Sequence, residues 1–358
     1  RPKPPDPYAD PSKGGPEPTD EDLSQLAALE AEDMSEVLEG LAGAGKRGIC
    51  SVQDLGSESF ASKRTRSYGG EMDPRGQFLG YACRKGLKPE SPNQDSWVVL
   101  TVDGDFSMYG VFDGHGPRGH DVADFLSEGL PKLILREPRF KTDEMKPMMV
   151  DCFERMQRVI GAAHHGKKLD ASLSGATGTV VVHDRVRERL TVSHVGGCTA
   201  VLGRSDGRGG LDAVQLTRDH RVDLPDERAR IERDGGRVAF DGYANHRVYA
   251  KNSRDPGLTT SRTLGDVVAH LICGITAEPE VAELSIKPED RLLLVCSDGV
   301  WEFMDPSEAV RLVSRLEPSE AMEAAERLAK EAWQRWIQEE GGAVVDDITV
   351  ILVHLNQK

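Results

Sequence analysis

Four apolar runs in this chain begin or end on aspartate. "YGVF" runs into Asp113, Gly114, His115, Gly116 and Pro117, and "RLLLVCS" runs into Asp298 and Gly299. Asp346 and Asp347 directly precede "ITVILVHL", and Asp95 directly precedes "SWVVL". Gly and Pro stop a strand, and glycine lets another group approach the backbone closely. Strand ends in a sheet can converge on one edge. Several carboxylates gathered there repel one another and are costly unless cations neutralise them. Each aspartate alone is an ordinary turn or cap residue. Their shared placement points to a cation site, and an all-oxygen donor set suits Mg²⁺, Mn²⁺ or Ca²⁺ rather than Zn²⁺.

The runs themselves set the fold class. "SWVVLTV", "FSMYGVF", "TGTVVVH", "RLTVSHV", "RLLLVCS" and "DITVILVHL" read as strands, and Asp103-Gly104-Asp105 joins the first two as a hairpin. Helical patterns fall at about 119–130, 145–164, 305–315 and 318–339. Most strands follow one another through short turns rather than regular crossover helices. The expectation is therefore α+β, with antiparallel sheets and helices outside them, not a doubly wound parallel sheet.

Residues 1–75 read as an acidic extension and 76–358 as the main domain. The first 18 or so residues are Pro-rich and polar, and are expected to be disordered. One amphipathic helix is expected over about 20–42, capped by Thr19. Up to Gly43 there are three basic residues against eleven acidic ones, over half of the formal charge of -15. Such a helix packs on its own domain, or serves as a docking or autoinhibitory element. A polar stretch over 57–75 reads as a linker.

The overall charge argues against nucleic acid as a partner. The six cysteines lack CxxC spacing and read as reduced thiols of a soluble intracellular protein, cytoplasmic or nuclear. No apolar run reaches transmembrane length. The chain opens on Arg1, which reads as a trimmed start, so the absence of a targeting segment carries no information. A monomer is expected.

Taken in order, eight segments resemble one family. They are "RKGLKPESPNQDSW", "VFDGHGPRGH", "SGATGTVVV", "LTRDHRVDLPDERARIERDGGRV", "GLTTSRTLGD", "EPEV", "LLLVCSDGVWEFM" and "DDITVILV", spanning roughly residues 80–355. Together they resemble the metal-dependent serine/threonine protein phosphatases of type 2C, in the variant common in plants and protists. The resemblance implies a four-layer αββα sandwich of two antiparallel sheets, with two Mg²⁺ or Mn²⁺ ions at one edge and phosphorylated proteins as substrates. It implies that Asp113 bridges the two ions, that the Gly114 carbonyl binds one, and that Asp298 and Asp346 hold the other. Asp95 and Gln94 would act through bound waters, and Asp266 in "TLGD" would be structural. His115 would donate the proton to the leaving alkoxide. For the phosphate-binding cation Lys85 fits best, then Arg84, with Lys88 third.

Two positions depart from that family. Gly197 stands where most members carry the aspartate of a third, weaker cation site, and Asp347 replaces the usual Asn. Cys198 beside Gly197 reads as a small buried thiol. The leading reading is an active phosphatase. A pseudophosphatase serving as scaffold or regulator is the alternative that Gly197 favours, and a divalent-ion sensor is a third.

Overall fold

The computed structural model describes residues 17–53, 63–88 and 92–356. Two helices come first, α1 (Asp20–Ala31) and α2 (Met34–Gly40). Then follow β1 (Ala44–Gln53), β2 (Lys63–Gly69), β3 (Leu79–Arg84), β4 (Asp95–Asp103) and β5 (Phe106–His115). Helices α3 (Gly119–Arg136) and α4 (Met145–His165) separate these from β6 (Gly175–Asp184), β7 (Arg189–Val195), β8 (Thr199–Ser205) and β9 (Leu211–Gln215). Next come α5 (Pro225–Arg233), β10 (Gly236–Phe240), β11 (His246–Ala250), β12 (Pro256–Leu258), β13 (Leu264–Gly265) and α6 (Val267–Ile272). The chain closes with β14 (Glu280–Ser285), β15 (Asp290–Cys296), α7 (Asp298–Trp301), α8 (Pro306–Val313), α9 (Ala321–Glu339) and β16 (Ile348–His354).

The larger sheet runs β14-β7-β6-β5-β4-β1-β2, with β13 added to β6, and the second runs β3-β16-β15-β8-β9. Neighbours along both are antiparallel. Central strands such as β4, β5, β6 and β15 read as nearly unbroken apolar runs because both faces are covered. On β4, Trp97 and Val99 enter the core between the sheets, while Val98, Leu100 and Val102 pack under the helices. On β15, Leu293 and Val295 point between the sheets, and Leu292, Leu294 and Cys296 pack under α8 and α9. Helices α3 and α4 cover the larger sheet, which completes the four layers expected of an α+β sandwich.

The amino-terminal part departs from expectation. The single helix over 20–42 is two, because Asp33 starts a second one. Its carboxylate accepts from the Ser35 N–H at 2.8 Å, and Glu36 accepts from the Asp33 N–H at 3.0 Å. The Thr19 cap forms as expected, paired with Asp22. The line drawn at 75 does not divide the sheet, since β1 pairs with β4 and β2 with β1. Lys63–Gly69, expected in a linker, is thus an edge strand. Both helices lie on the helical layer. Leu26, Leu29, Met34 and Leu38 are buried, Arg158 pairs with Asp22 at 3.3 Å, and Lys132 donates to the Leu29 and Glu32 carbonyls at 3.0 and 2.7 Å. The expected disorder of the first residues falls outside the described residues, which begin at 17. Among the described residues no helix is long and apolar enough to cross a membrane.

Candidate metal centre

The start of β4 and the end of β5 lie side by side, with Asp95 opposite Asp113 in the register. In the facing sheet, β15 ends and β16 begins at the same edge, Cys296 pairing with Val350. Asp298 follows β15 as the first residue of α7, and Asp346 and Asp347 precede β16. Ser297 ties the two sheets together. Its hydroxyl donates to Asp95 Oδ2 at 2.7 Å and accepts from the Thr349 N–H at 3.0 Å. The glycines beside the aspartates are required by close approach. A Cβ on Gly114 would lie 2.4 Å from the Gly119 carbonyl oxygen, and one on Gly299 would lie 2.0 Å from that of Asp347.

Asp95, Asp113, Asp298 and Asp346 therefore meet at one edge, as the strand-end pattern predicts. Their electrostatics show carboxylates that repel one another more than the single ammonium of Lys88, paired with Asp346, offsets. Burial, then the charges of Asp298, Asp95 and Asp346, hold the Asp113 carboxyl well above the usual range. Burial and Asp347 push Asp95 up to about 8, and burial and Asp346 push Asp298 up to about 6. Asp95 is fully buried, and its Oδ1 has no hydrogen-bond partner among the described residues. A buried orphan carboxylate oxygen beside three further carboxylates fits divalent cations and their waters.

Asp347 has a different task from the other four. It accepts from the Gly86 N–H at 2.6 Å and the Gln94 N–H at 2.7 Å, clamping both ends of the loop that carries Lys88. Gln94 turns its amide to the Gly116 carbonyl at 2.8 Å.

The phosphate-binding cation expected at Lys85 or Arg84 is placed otherwise. Arg84 is paired with Glu326 on α9, and the Lys85 ammonium donates to the Lys88 carbonyl at 2.6 Å. Lys88 is the one of the three that reaches the cluster, 2.5 Å from Asp346 Oδ1 and 43 % exposed. Burial opposes its charge, but Asp346, Asp347 and Asp113 outweigh it and raise its pKa. Sequence spacing ranked Lys88 last because it counts positions. Asp347 holds the Gly86 and Gln94 N–H groups on either side, and of the three cations it is Lys88 whose ammonium meets Asp346.

His115 closes β5 and donates or accepts through Nε2 at 2.6 Å from Asp266 Oδ2. Burial works against a charged imidazole here, yet Asp266 and, further off, Asp298 overcome it and hold the pKa above the usual histidine range. Cys198 is buried as expected, its thiol pKa driven well upward by burial and then by Asp113. At Gly197 a Cβ would meet no atom within 4 Å, so the space for a side chain is open.

A second cluster was not legible in the sequence. His194 and His220 stack at 4.5 Å beneath the Gly196 turn, with Glu280 beside them. It is ill suited to a cation. The Gly196 N–H donates to His220 Nδ1 at 2.9 Å, which leaves the proton on Nε2, and Arg218 and Arg262 already neutralise Glu280.

Comparison with known proteins decides the family. The family model for "Protein phosphatase 2C" matches residues 90–340. The chain belongs to the protein phosphatase 2C family. It is 32% identical over 287 residues to "Probable protein phosphatase 2C 73" of Arabidopsis thaliana, covering 74% of this chain and 76% of that one. It is 33% identical over 298 residues to "Probable protein phosphatase 2C 48" of Oryza sativa subsp. japonica, covering 76% and 82%. Among solved structures, serine-threonine phosphatase 2C from Toxoplasma gondii superposes with a TM-score of 0.66 at 19% identity, covering 77% of this chain and 94% of that one. A C. elegans sex determining protein gives 0.64 at 20% identity, covering 77% and 64%. These structures share the fold. As a protein phosphatase 2C, the chain is a metal-dependent serine/threonine phosphatase by family, and the acid cluster lies where its two sheets meet.

Proposed function

We propose that this chain hydrolyses phosphoserine and phosphothreonine in proteins by direct attack of water on phosphorus, with two Mg²⁺ or Mn²⁺ ions at the acid cluster. The observation that carries the reading is the meeting of Asp95, Asp113, Asp298 and Asp346 at one edge, with the orphan Asp95 Oδ1 among them. Asp113, the Gly114 carbonyl, Asp298 and Asp346 would hold the cations, with Asp95 and Gln94 acting through water. Bound there, divalent ions lower the pKa of water and neutralise charge on the phosphoryl oxygens.

The protein's own groups do the rest. Water as the nucleophile is consistent with two protein groups beside the cluster being unsuited to attack. Ser297 is buried and donates to Asp95, and the Cys198 thiol is held protonated. With cations held by Asp346, Lys88 would be released from that carboxylate and would offer the phosphate a point charge. His115 keeps 27 % of its side chain exposed and supplies the proton to the departing alkoxide. The six unpaired thiols fit a reducing compartment, cytoplasmic or nuclear.

The test is phosphate release from a phosphothreonine peptide with Mn²⁺ or Mg²⁺, with and without EDTA, beside Asp113→Ala. Metal-dependent release that the variant lacks is expected. Absence of release from folded, metal-loaded protein overturns the reading and favours the pseudophosphatase, the alternative suggested by the missing carboxylate at Gly197.

A further inference from the structure

We infer that Asp266 is a positioning residue for proton delivery: it fixes the tautomer and direction of His115 so that Nδ1, not Nε2, faces the leaving group. The inference rests on the phosphatase reading above.

The geometry is built by three adjacent backbones. His115 pairs with Gly175 of β6, and Gly175 pairs with Gly265 of β13, which places Asp266 one residue beyond. Gly175 is the slot through which the two side chains meet. A Cβ there would lie 2.2 Å from Asp266 Oδ2. Asp266 itself is held in the left-handed region, φ 44° and ψ 46°, which a residue other than glycine adopts only when its surroundings fix it. Those surroundings are explicit. The Asp266 N–H donates to the Ser174 carbonyl at 2.8 Å, and Asp266's carbonyl accepts from the His270 N–H at 3.0 Å. One residue earlier, Gln157 of α4 grips Gly265 from both sides, accepting from its N–H at 2.7 Å and donating to its carbonyl at 2.8 Å.

The side chains differ in access. Asp266 is 2 % exposed and His115 27 %. The 2.6 Å contact from Asp266 Oδ2 engages Nε2, and with the carboxylate oxygen as acceptor the proton of that bond sits on Nε2. Nδ1 makes no hydrogen bond to the described residues and is left for the substrate. In the reaction a P–O bond forms to water and the ester P–O bond breaks, its electron pair leaving with the serine or threonine oxygen. That oxygen takes the proton from Nδ1, the attacking water gives its proton to solvent, and His115 regains one from solvent while Nε2–H stays on Asp266. A buried Asp that holds a His by one nitrogen, so that the other can transfer protons, is a recurring solution to this problem.

The experiment compares two substrates on the Mn²⁺-loaded full chain. A phosphothreonine peptide needs a proton on its leaving oxygen, and p-nitrophenyl phosphate does not. Asp266→Asn suits the left-handed backbone but offers an amide that can hold the imidazole in the wrong tautomer. We expect it to lower turnover of the peptide roughly a hundredfold while p-nitrophenyl phosphate stays within about threefold. His115→Asn should show the same split, and the double variant should be no worse than His115→Asn alone. Gln157→Ala should give a weaker version of the same split. Mn²⁺ binding by calorimetry should match wild type in every variant. Equal losses on both substrates, or no loss on either, overturn the inference. Wild-type protein that hydrolyses neither substrate with Mn²⁺ overturns the phosphatase reading itself, and the inference with it.

Discussion

Replacing Asp95 by Asn should stabilise the protein when no divalent cation is present. Asp95 is fully buried at the start of β4, and burial with Asp347 pushes its pKa from 3.8 up to about 8. Such a carboxyl takes up a proton on folding. Between those two values, each pH unit above the unfolded pKa costs the folded state about 1.4 kcal/mol. At pH 7 the penalty comes to about 4 kcal/mol, and at pH 5 to about 2 kcal/mol. An asparagine has the same shape and no proton to bind, so Asp95→Asn should remove that penalty. In EDTA its urea unfolding free energy should exceed wild type by about 4 kcal/mol at pH 7, or roughly 8 °C in melting temperature, and by only about 0.6 kcal/mol at pH 4. Mn²⁺ should act the other way. At a hundredfold its Kd each bound ion adds about 2.7 kcal/mol to wild type, and the variant should gain less. The assay is paired urea titration of both proteins in EDTA and in Mn²⁺ at pH 4, 5 and 7. Wild type equal to or more stable than Asp95→Asn in EDTA at pH 7 would refute the claim that burial and the neighbouring carboxylates penalise a charge on Asp95.

Other consequences follow from the same structure. Lys88→Met should raise the KM for a phosphothreonine peptide about tenfold, and Lys85→Met should leave it nearly unchanged, because only Lys88 faces the cluster. Steady-state kinetics on both variants checks this, and equal effects would count against it. Glu227 is buried against Ser261, Arg230 and Arg262; burial opposes its charge, but those partners outweigh it and bring its pKa from 4.5 down to about 2. The stabilisation is complete above pH 4.5 and lost as pH falls through 2, so Glu227→Gln should cost about 3 kcal/mol at pH 7 and about half that at pH 3 in urea unfolding. A pH-independent gap would contradict it. Gly197→Asp should fold normally, since no atom blocks a Cβ there, and should add about one bound Mn²⁺ per chain in calorimetry. Unchanged stoichiometry would show that a carboxylate at 197 does not complete a cation site.

The acid cluster was legible in the sequence because strand order and strand ends are local facts. A run such as "YGVFDG" or "LLLVCSDG" states both where the strand stops and which carboxylate stands there. Since β4 and β15 are buried on both faces over most of their length, their apolar runs are nearly continuous. Asp113, Asp298, Asp346 and Asp95 were all placed this way, and antiparallel sheets with helices outside followed from the short turns between runs, while the face-to-face sandwich was what the family resemblance implied. Burial of Cys198 was also foreseen, a small apolar thiol at a turn between strands.

Other features depended on contacts between distant segments. Periodicity favoured a single helix over 20–42, but the Asp33 cap starts a second one, and Lys63–Gly69 joins the sheet because β1 offers it an edge. Which of Arg84, Lys85 and Lys88 turns inward was set by Asp347, 253 residues from Gln94, holding the loop by two backbone N–H groups. Ser297 bridging the sheets, the stacked His194 and His220, and the grip of Gln157 on Gly265 link residues far apart in the chain. The sequence by itself determined which residues could carry charge at strand ends. Tertiary structure alone decided how those ends meet and which side chains they orient, because hydrogen bonds depend on distance and angle in space, not on separation along the chain.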